Sequence, residues 1–199
     1  MGRIRLDDIR KQELIDAAIR AVASHGLEKA TVAVIGREAD ISPGIVHHYF
    51  GDKTSLLESA MRAIRAPFSG LYAENIAKQP ENPAIRLPAL IDTCFDPAVF
   101  SPVTASAWTA FVAVSPHVPA FGRVRSLQRR RMVSTASHAL RGRVEDRYRL
   151  WYADAVTTAI DGVWFNAATV EGAADCDRAR TYLEMVLAGF PPIQEVNHG

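Results

Sequence analysis

Residues 31–53 read TVAVIGREADISPGIVHHYFGDK, two short runs of helix-forming residues set between capping and turn residues. Thr31 can accept a backbone N–H and so start a short helix over VAVIGREA. The interruption DIS follows, and Ser42 is placed to cap a second short helix with Pro43 at its first position, where a missing N–H costs nothing. Gly51 and Asp52 stop that helix, and Asp52 caps the next one, which opens at Lys53. Two short helices joined by three or four residues form a helix-turn-helix.

Working outward, Leu14, Ala17, Ala18, Ala21 and Val22 recur at helical spacing, which predicts an amphipathic helix over about 8–24 ended by Gly26. The helix opening at Lys53 should run to about Ala66, before Pro67. KQPENP, residues 78–83, reads as a loop. Further helices are expected over about 84–94, 103–114, 120–140, 146–170 and 177–188, with breaks at SPHVP (115–119) and RGR (141–143), and the tail GFPPIQEVNHG (189–199) should fray. No repeat and no alternating strand pattern occurs, so the fold class is all-α with about nine helices. The division expected is 1–52 for the helix-turn-helix domain and 53–199 for a second helical domain.

A chain of 199 residues with 48% hydrophobic content can bury a substantial core. No apolar run is long enough to span a bilayer, and the opening MGRIRLDDIRKQELIDA lacks a signal peptide's apolar stretch, so a cytoplasmic protein without a membrane partner is expected. Cys94 and Cys176 suit reduced thiols. A net charge of +1 gives no global sign of a polyanion partner, so any nucleic-acid reading rests on local geometry. The basic run GRVRSLQRRRM (122–132) reads as a solvated helix face.

On a helical wheel Val46 and Phe50 share the side that must pack inward. Gly44 and His48 then point outward, with Ile45, His47 and Tyr49 on the flanks. That face suits the major groove: Gly44 permits close approach, Ile45 can touch a thymine methyl, and the imidazoles can meet base edges or phosphates. Tyr49, Lys53 and Thr31 offer phosphate contacts, and Ser42 joins the same surface. A metal site on the adjacent histidines is disfavoured, because neighbours on a helix diverge by about 100°.

The segment ATVAVIGREADISPGIVHHYFGDKTSLLESAM (30–61) resembles the DNA-binding segment of the TetR family of transcriptional regulators. That resemblance implies DNA contacts at Thr31, Gly44, Ile45, His47, His48, Tyr49 and Lys53, and a homodimer whose last two helices pair with their symmetry mates. IRKQELIDAAIRAV (9–22), CFDPAVFSPVTASAWTAF (94–111), RVRSLQRRRMVS (123–134) and AIDGVWFNAAT (159–169) are similar to the BetI-type branch, choline-responsive repressors of glycine betaine synthesis. Val112 stands where that pattern has a further aromatic, which keeps open a different effector, a hydrophobic drug or a neutral metabolite.

A quaternary ammonium ligand needs aromatic faces and a carboxylate. The candidates are Phe95, Trp108, Phe111, Trp151, Asp161, Trp164 and Phe165, with Tyr152 beside them; the competing reading makes the aromatics plain core and gives Asp161 a partner among Arg129 to Arg131. Ala155, Ala159, Gly162 and Asn166 form a small-residue stripe that, with Tyr182, Leu183 and Val186, is the expected dimer surface. No GxSxG, phosphate-cradling glycine loop or HExxH occurs, so neither an enzyme nor a cofactor is expected. The partners expected are double-stranded operator DNA, a small-molecule effector such as choline, and a second copy of the chain.

Overall fold

The computed structural model describes residues 6–189, so the expected fraying beyond Gly189 lies outside the described residues. Among these there are ten α-helices, two short 3₁₀ turns and no strand. The chain divides into two compact units.

The first unit comprises residues 1–67 and 101–126. It holds α1 (Leu6–Lys29), α2 (Val32–Glu38), α3 (Pro43–Phe50), α4 (Lys53–Ala63), α7 (Pro102–Val114) and the start of α8 (Pro119–Ala139). Leu14, Ala17, Ala18, Ala21 and Val22 are buried as their spacing requires; α2, α4 and α7 all pack on α1. The alanines keep the contact close. α1 breaks at Gly26, where φ is +74°, a conformation that favours glycine. α4 brings Leu56, Leu57, Ala60 and Met61 inward, while α7 brings Ala105, Ala107, Trp108 and Phe111. Ser106 donates to the carbonyl of Ala23 at 3.2 Å. The packing boundary therefore differs from the expected division at residue 52, because the apolar stripe of α4 finds its partners in α1 and α7.

The second unit comprises residues 68–100 and 127–199. It holds α5 (Phe68–Ala77), α6 (Arg86–Cys94), the remainder of α8, α9 (Arg149–Thr169) and α10 (Cys176–Ala188). α5 has no counterpart in the sequence reading. It buries no residue fully, but Phe68, Leu71, Tyr72 and Ile76 recur at helical spacing and are half-buried, a short apolar stripe that the sequence reading passed over. An aromatic chain runs through this unit: Phe95 meets Phe100 edge-on at 5.2 Å, and Phe100 meets Trp164 at 5.5 Å. Arg180 of α10 donates to the Phe95 carbonyl at 3.2 Å. Cys94 and Cys176 are not joined in a disulfide.

Candidate nucleic-acid interface and effector core

The turn before α3 is built by one glycine and one aspartate. The Ile41 N–H donates to Gly36 O at 2.8 Å, and a Cβ on Gly36 would lie 2.5 Å from the Ile41 carbonyl oxygen. Only glycine fits there. Asp40 adopts φ of +55°, a region a short polar side chain tolerates. Thr31 caps α2, accepting the Val34 N–H at 3.2 Å, and Asp52 caps α4, accepting the Ser55 N–H at 2.7 Å. The hydrogen bonds from Ser55 hold the Asp52 carboxyl below its usual value. Ser42 occupies the N-cap position of α3, but its hydroxyl makes no cap bond, a correction to the expected cap. Its carbonyl instead accepts the Ile45 and Val46 N–H groups.

α3 presents the surface the wheel requires. Val46 is 1% exposed, Gly44, His47 and His48 are exposed, and Ile45 and Tyr49 are half-buried. A Cβ on Gly44 would meet no atom within 4 Å. No packing inside the chain therefore calls for glycine at the second position of α3.

Two expected phosphate contacts are placed differently. The Tyr49 hydroxyl donates to Asp7 Oδ1 at 2.9 Å, and that bond, with burial, raises its pKa. Lys53 Nζ donates to the carbonyls of Leu27 and Glu28 at 2.9 and 3.3 Å. Both groups tie α3 and α4 to α1, whose carbonyls beyond Gly26 lack helical partners and whose Asp7 attracts a donor. The sequence reading missed Lys11, whose ammonium lies 5.7 Å from the Tyr49 ring centroid. Only tertiary packing brings residue 11 beside residue 49.

The expected effector residues fall into three groups. Trp108 and Phe111 are buried in the first unit. Phe111 meets Phe121 edge-on at 5.3 Å, and the Arg125 guanidinium lies 5.9 Å from the Trp108 ring. Phe95 and Trp164 are buried in the second unit and are bridged by Phe100, which the sequence reading did not single out. Trp151 and Phe165, expected among the ligand residues, are 78% and 55% exposed and lie on the outer face of α9, apart from the buried Phe95 and Trp164. A residue step of about 100° carries Phe165 away from the core that Trp164 fills. Asp161 is half-exposed and pairs with Arg129 at 3.5 Å, while Arg129 holds Asp154 at 2.6 Å. Arg129 is thus a partner that the basic run was able to supply.

On that outer face Ala155, Gly162 and Asn166 are exposed and Ala159 half-buried. A Cβ on Gly162 would meet nothing within 4 Å. Trp151, Ala155, Thr158, Gly162 and Phe165 recur at spacings of four and three, forming one stripe on α9. Tyr182 and Met185 of α10 are exposed, and Val186 is half-buried. Leu183 is 0% exposed and so belongs to the core rather than to the expected dimer surface, because α10 turns that side toward α9 and α6.

Comparison with known proteins bears on both parts. Residues 14–60 match the family described as bacterial regulatory proteins, tetR family. Residues 83–191 match the family described as BetI-type transcriptional repressor, C-terminal. The HTH-type transcriptional regulator BetI 1 of Chromohalobacter salexigens is 34% identical over 192 residues, covering 94% of this chain and 95% of that protein. A transcriptional regulator from Rhodococcus sp. Rha1 shares the fold with a TM-score of 0.77 at 20% identity, covering 89% of this chain and 94% of that one. A protein from Saccharomonospora viridis solved in complex with choline has a TM-score of 0.68 at 17% identity, covering 90% and 95%.

Proposed function

We propose, from the premise that this chain belongs to the TetR family of bacterial regulators and carries its BetI-type C-terminal domain, that it is a dimeric repressor whose operator binding is modulated by a small cationic effector. Family membership makes it a DNA-binding transcriptional regulator and not an enzyme. Among the described residues no helix is long and apolar enough to cross a membrane, and the proposed site of action is the cytoplasm.

The observation that carries the DNA reading is the outer face of α3, where Gly44 stands in open space beside His47 and His48. Glycine there lets the helix backbone approach base edges in the major groove. His48 and Ile45 lie beside it for base contacts. Thr31, Ser42 and Lys11 rim the same unit for phosphates, with Tyr49 and Lys53 positioning α3 and α4 rather than serving as principal anchors. Pairing of the α9 stripe and the exposed side of α10 with a second copy would set two copies of α3 about 34–36 Å apart and require a pseudo-palindromic operator.

The effector reading is choline, with control of betaine synthesis or uptake genes. It is supported by the BetI-type domain and by the buried Phe95, Phe100 and Trp164 cluster, since aromatic faces attract a quaternary ammonium. A differential affinity of about 3 kcal/mol between two shapes of the protein would shift operator binding more than a hundredfold. The second reading, a neutral or hydrophobic effector, is favoured by Arg125 over Trp108 and by Arg129 on Asp161, which already balance the chain's own aromatic face and carboxylate.

Fluorescence anisotropy of the purified protein on its own upstream DNA, with and without millimolar choline, tests both. Weaker binding with choline supports the full reading. Unchanged binding removes choline and leaves the regulator, whereas no binding removes autoregulation.

A further inference from the structure

The end of α3 couples a histidine to the helix's own C-cap. Gly51 terminates the helix with φ of +76° and ψ of −62°, and its N–H donates to the His47 carbonyl at 2.8 Å. The same glycine turns its own carbonyl back, and His47 Nδ1 lies 2.9 Å from it. A carbonyl oxygen only accepts, so the proton of that bond resides on Nδ1. Residues 47 and 51 are thus linked twice, once through backbone and once through the ring.

A neutral imidazole carries one N–H and one lone pair. With the proton committed to Gly51, Nε2 is the acceptor. His47 is exposed on the same outer stripe as Gly44 and His48. We propose that His47 is a specificity-determining residue that reads the exocyclic amino group of an adenine or a cytosine through Nε2, its tautomer set by the C-cap of its own helix. In the major groove those amino groups are the donors that base edges offer, whereas guanine O6 and N7 and thymine O4 are acceptors that repel a lone pair. The inference rests on α3 being the groove-reading helix and adds to it which chemical group this position recognises.

The experiment selects bound sequences from a random duplex library with the full-length protein, in the wild type and in His47→Ala. One position in each half-site is expected to lose its preference in His47→Ala while the other positions persist, with affinity for the best sequence falling about tenfold. At that position the exocyclic amino group is then deleted, by purine in place of adenine or 2-pyrimidinone in place of cytosine. This should weaken the wild type about as much as His47→Ala does and weaken the variant no further. His47→Glu, an obligate acceptor, should retain the preference, and His47→Lys, an obligate donor, should lose it.

The tautomer is read directly from the ring nitrogens of ¹⁵N-labelled protein, where protonated Nδ1 is expected. Protonated Nε2, an unchanged selection in His47→Ala, or sensitivity to removal of purine N7 in place of the amino group would each overturn the proposal. Failure to enrich any sequence would overturn the groove-reading assignment itself, and the proposal with it.

Discussion

Adding one methyl group at Gly36 and, separately, at Gly44 should divide folding from recognition. At Gly36 the new Cβ would lie 2.5 Å from the Ile41 carbonyl oxygen, roughly 1 Å inside ordinary contact. The obstructing atom is backbone, so relief requires opening the turn that the Ile41 N–H to Gly36 O bond holds at 2.8 Å. Overpacking costs about 1–3 kcal/mol and a weakened turn bond about 1 kcal/mol, while alanine's better helix propensity returns about 1 kcal/mol. Gly36→Ala should therefore lose about 1–3 kcal/mol and lower Tm by about 3–10 °C in a chain of this length. At Gly44 no atom lies within 4 Å of the added carbon, so the substitution should leave stability unchanged or raise it by up to about 1 kcal/mol. On DNA the order reverses: the Gly44→Ala methyl meets the base edges and should weaken operator binding roughly fivefold to a hundredfold. Denaturant unfolding and anisotropy on one preparation of each variant measure both effects. Gly36→Ala as stable as the wild type would refute the turn argument, and Gly44→Ala binding with unchanged affinity would refute the groove argument.

Lys53→Met should destabilise the first unit, since Nζ serves the Leu27 and Glu28 carbonyls, without altering the salt dependence of DNA binding. Lys11→Ala should lower the slope of log K against log salt by about 1, and the reverse pattern in salt titrations would restore Lys53 as the phosphate contact. Asp52 has a folded-state pKa below its usual 3.8 because Ser55 donates to it, so its contribution is present above that value and is lost as pH falls through the lower folded one. Thermal unfolding of the wild type should lose stability across that acid window by more than Asp52→Asn does, and parallel curves would contradict this. Phe100→Ala should cost about 3–5 kcal/mol by emptying the centre of the Phe95 and Trp164 cluster. Trp151→Ala should leave protomer unfolding little changed yet weaken dimerisation in sedimentation experiments, because that ring is exposed; a comparable loss of protomer stability would place it in a core.

The all-α class, the order of most helices and the outer face of α3 are legible in the residues alone. Those features are local. A cap bond spans three residues, as at Thr31 and Asp52, Gly26 marks a positive φ, and a wheel places Gly44 and His48 opposite Val46 whatever α3 packs against. Which neighbours fill those angles depends on the folded chain. Tyr49 finds Asp7 across 42 positions and Lys53 finds Leu27 across 26, so groups that read locally as phosphate contacts became ties to α1. Trp164 went inward and Phe165 outward, and Leu183 joined the core, because a wheel ranks residues by relative angle and leaves the absolute direction to the partner helix. α5 was passed over although Phe68, Leu71, Tyr72 and Ile76 recur at helical spacing: the stripe is short, follows Pro67 directly and is interrupted by Ser69 and Gly70, and only the packing on α6 in the folded chain half-buries it.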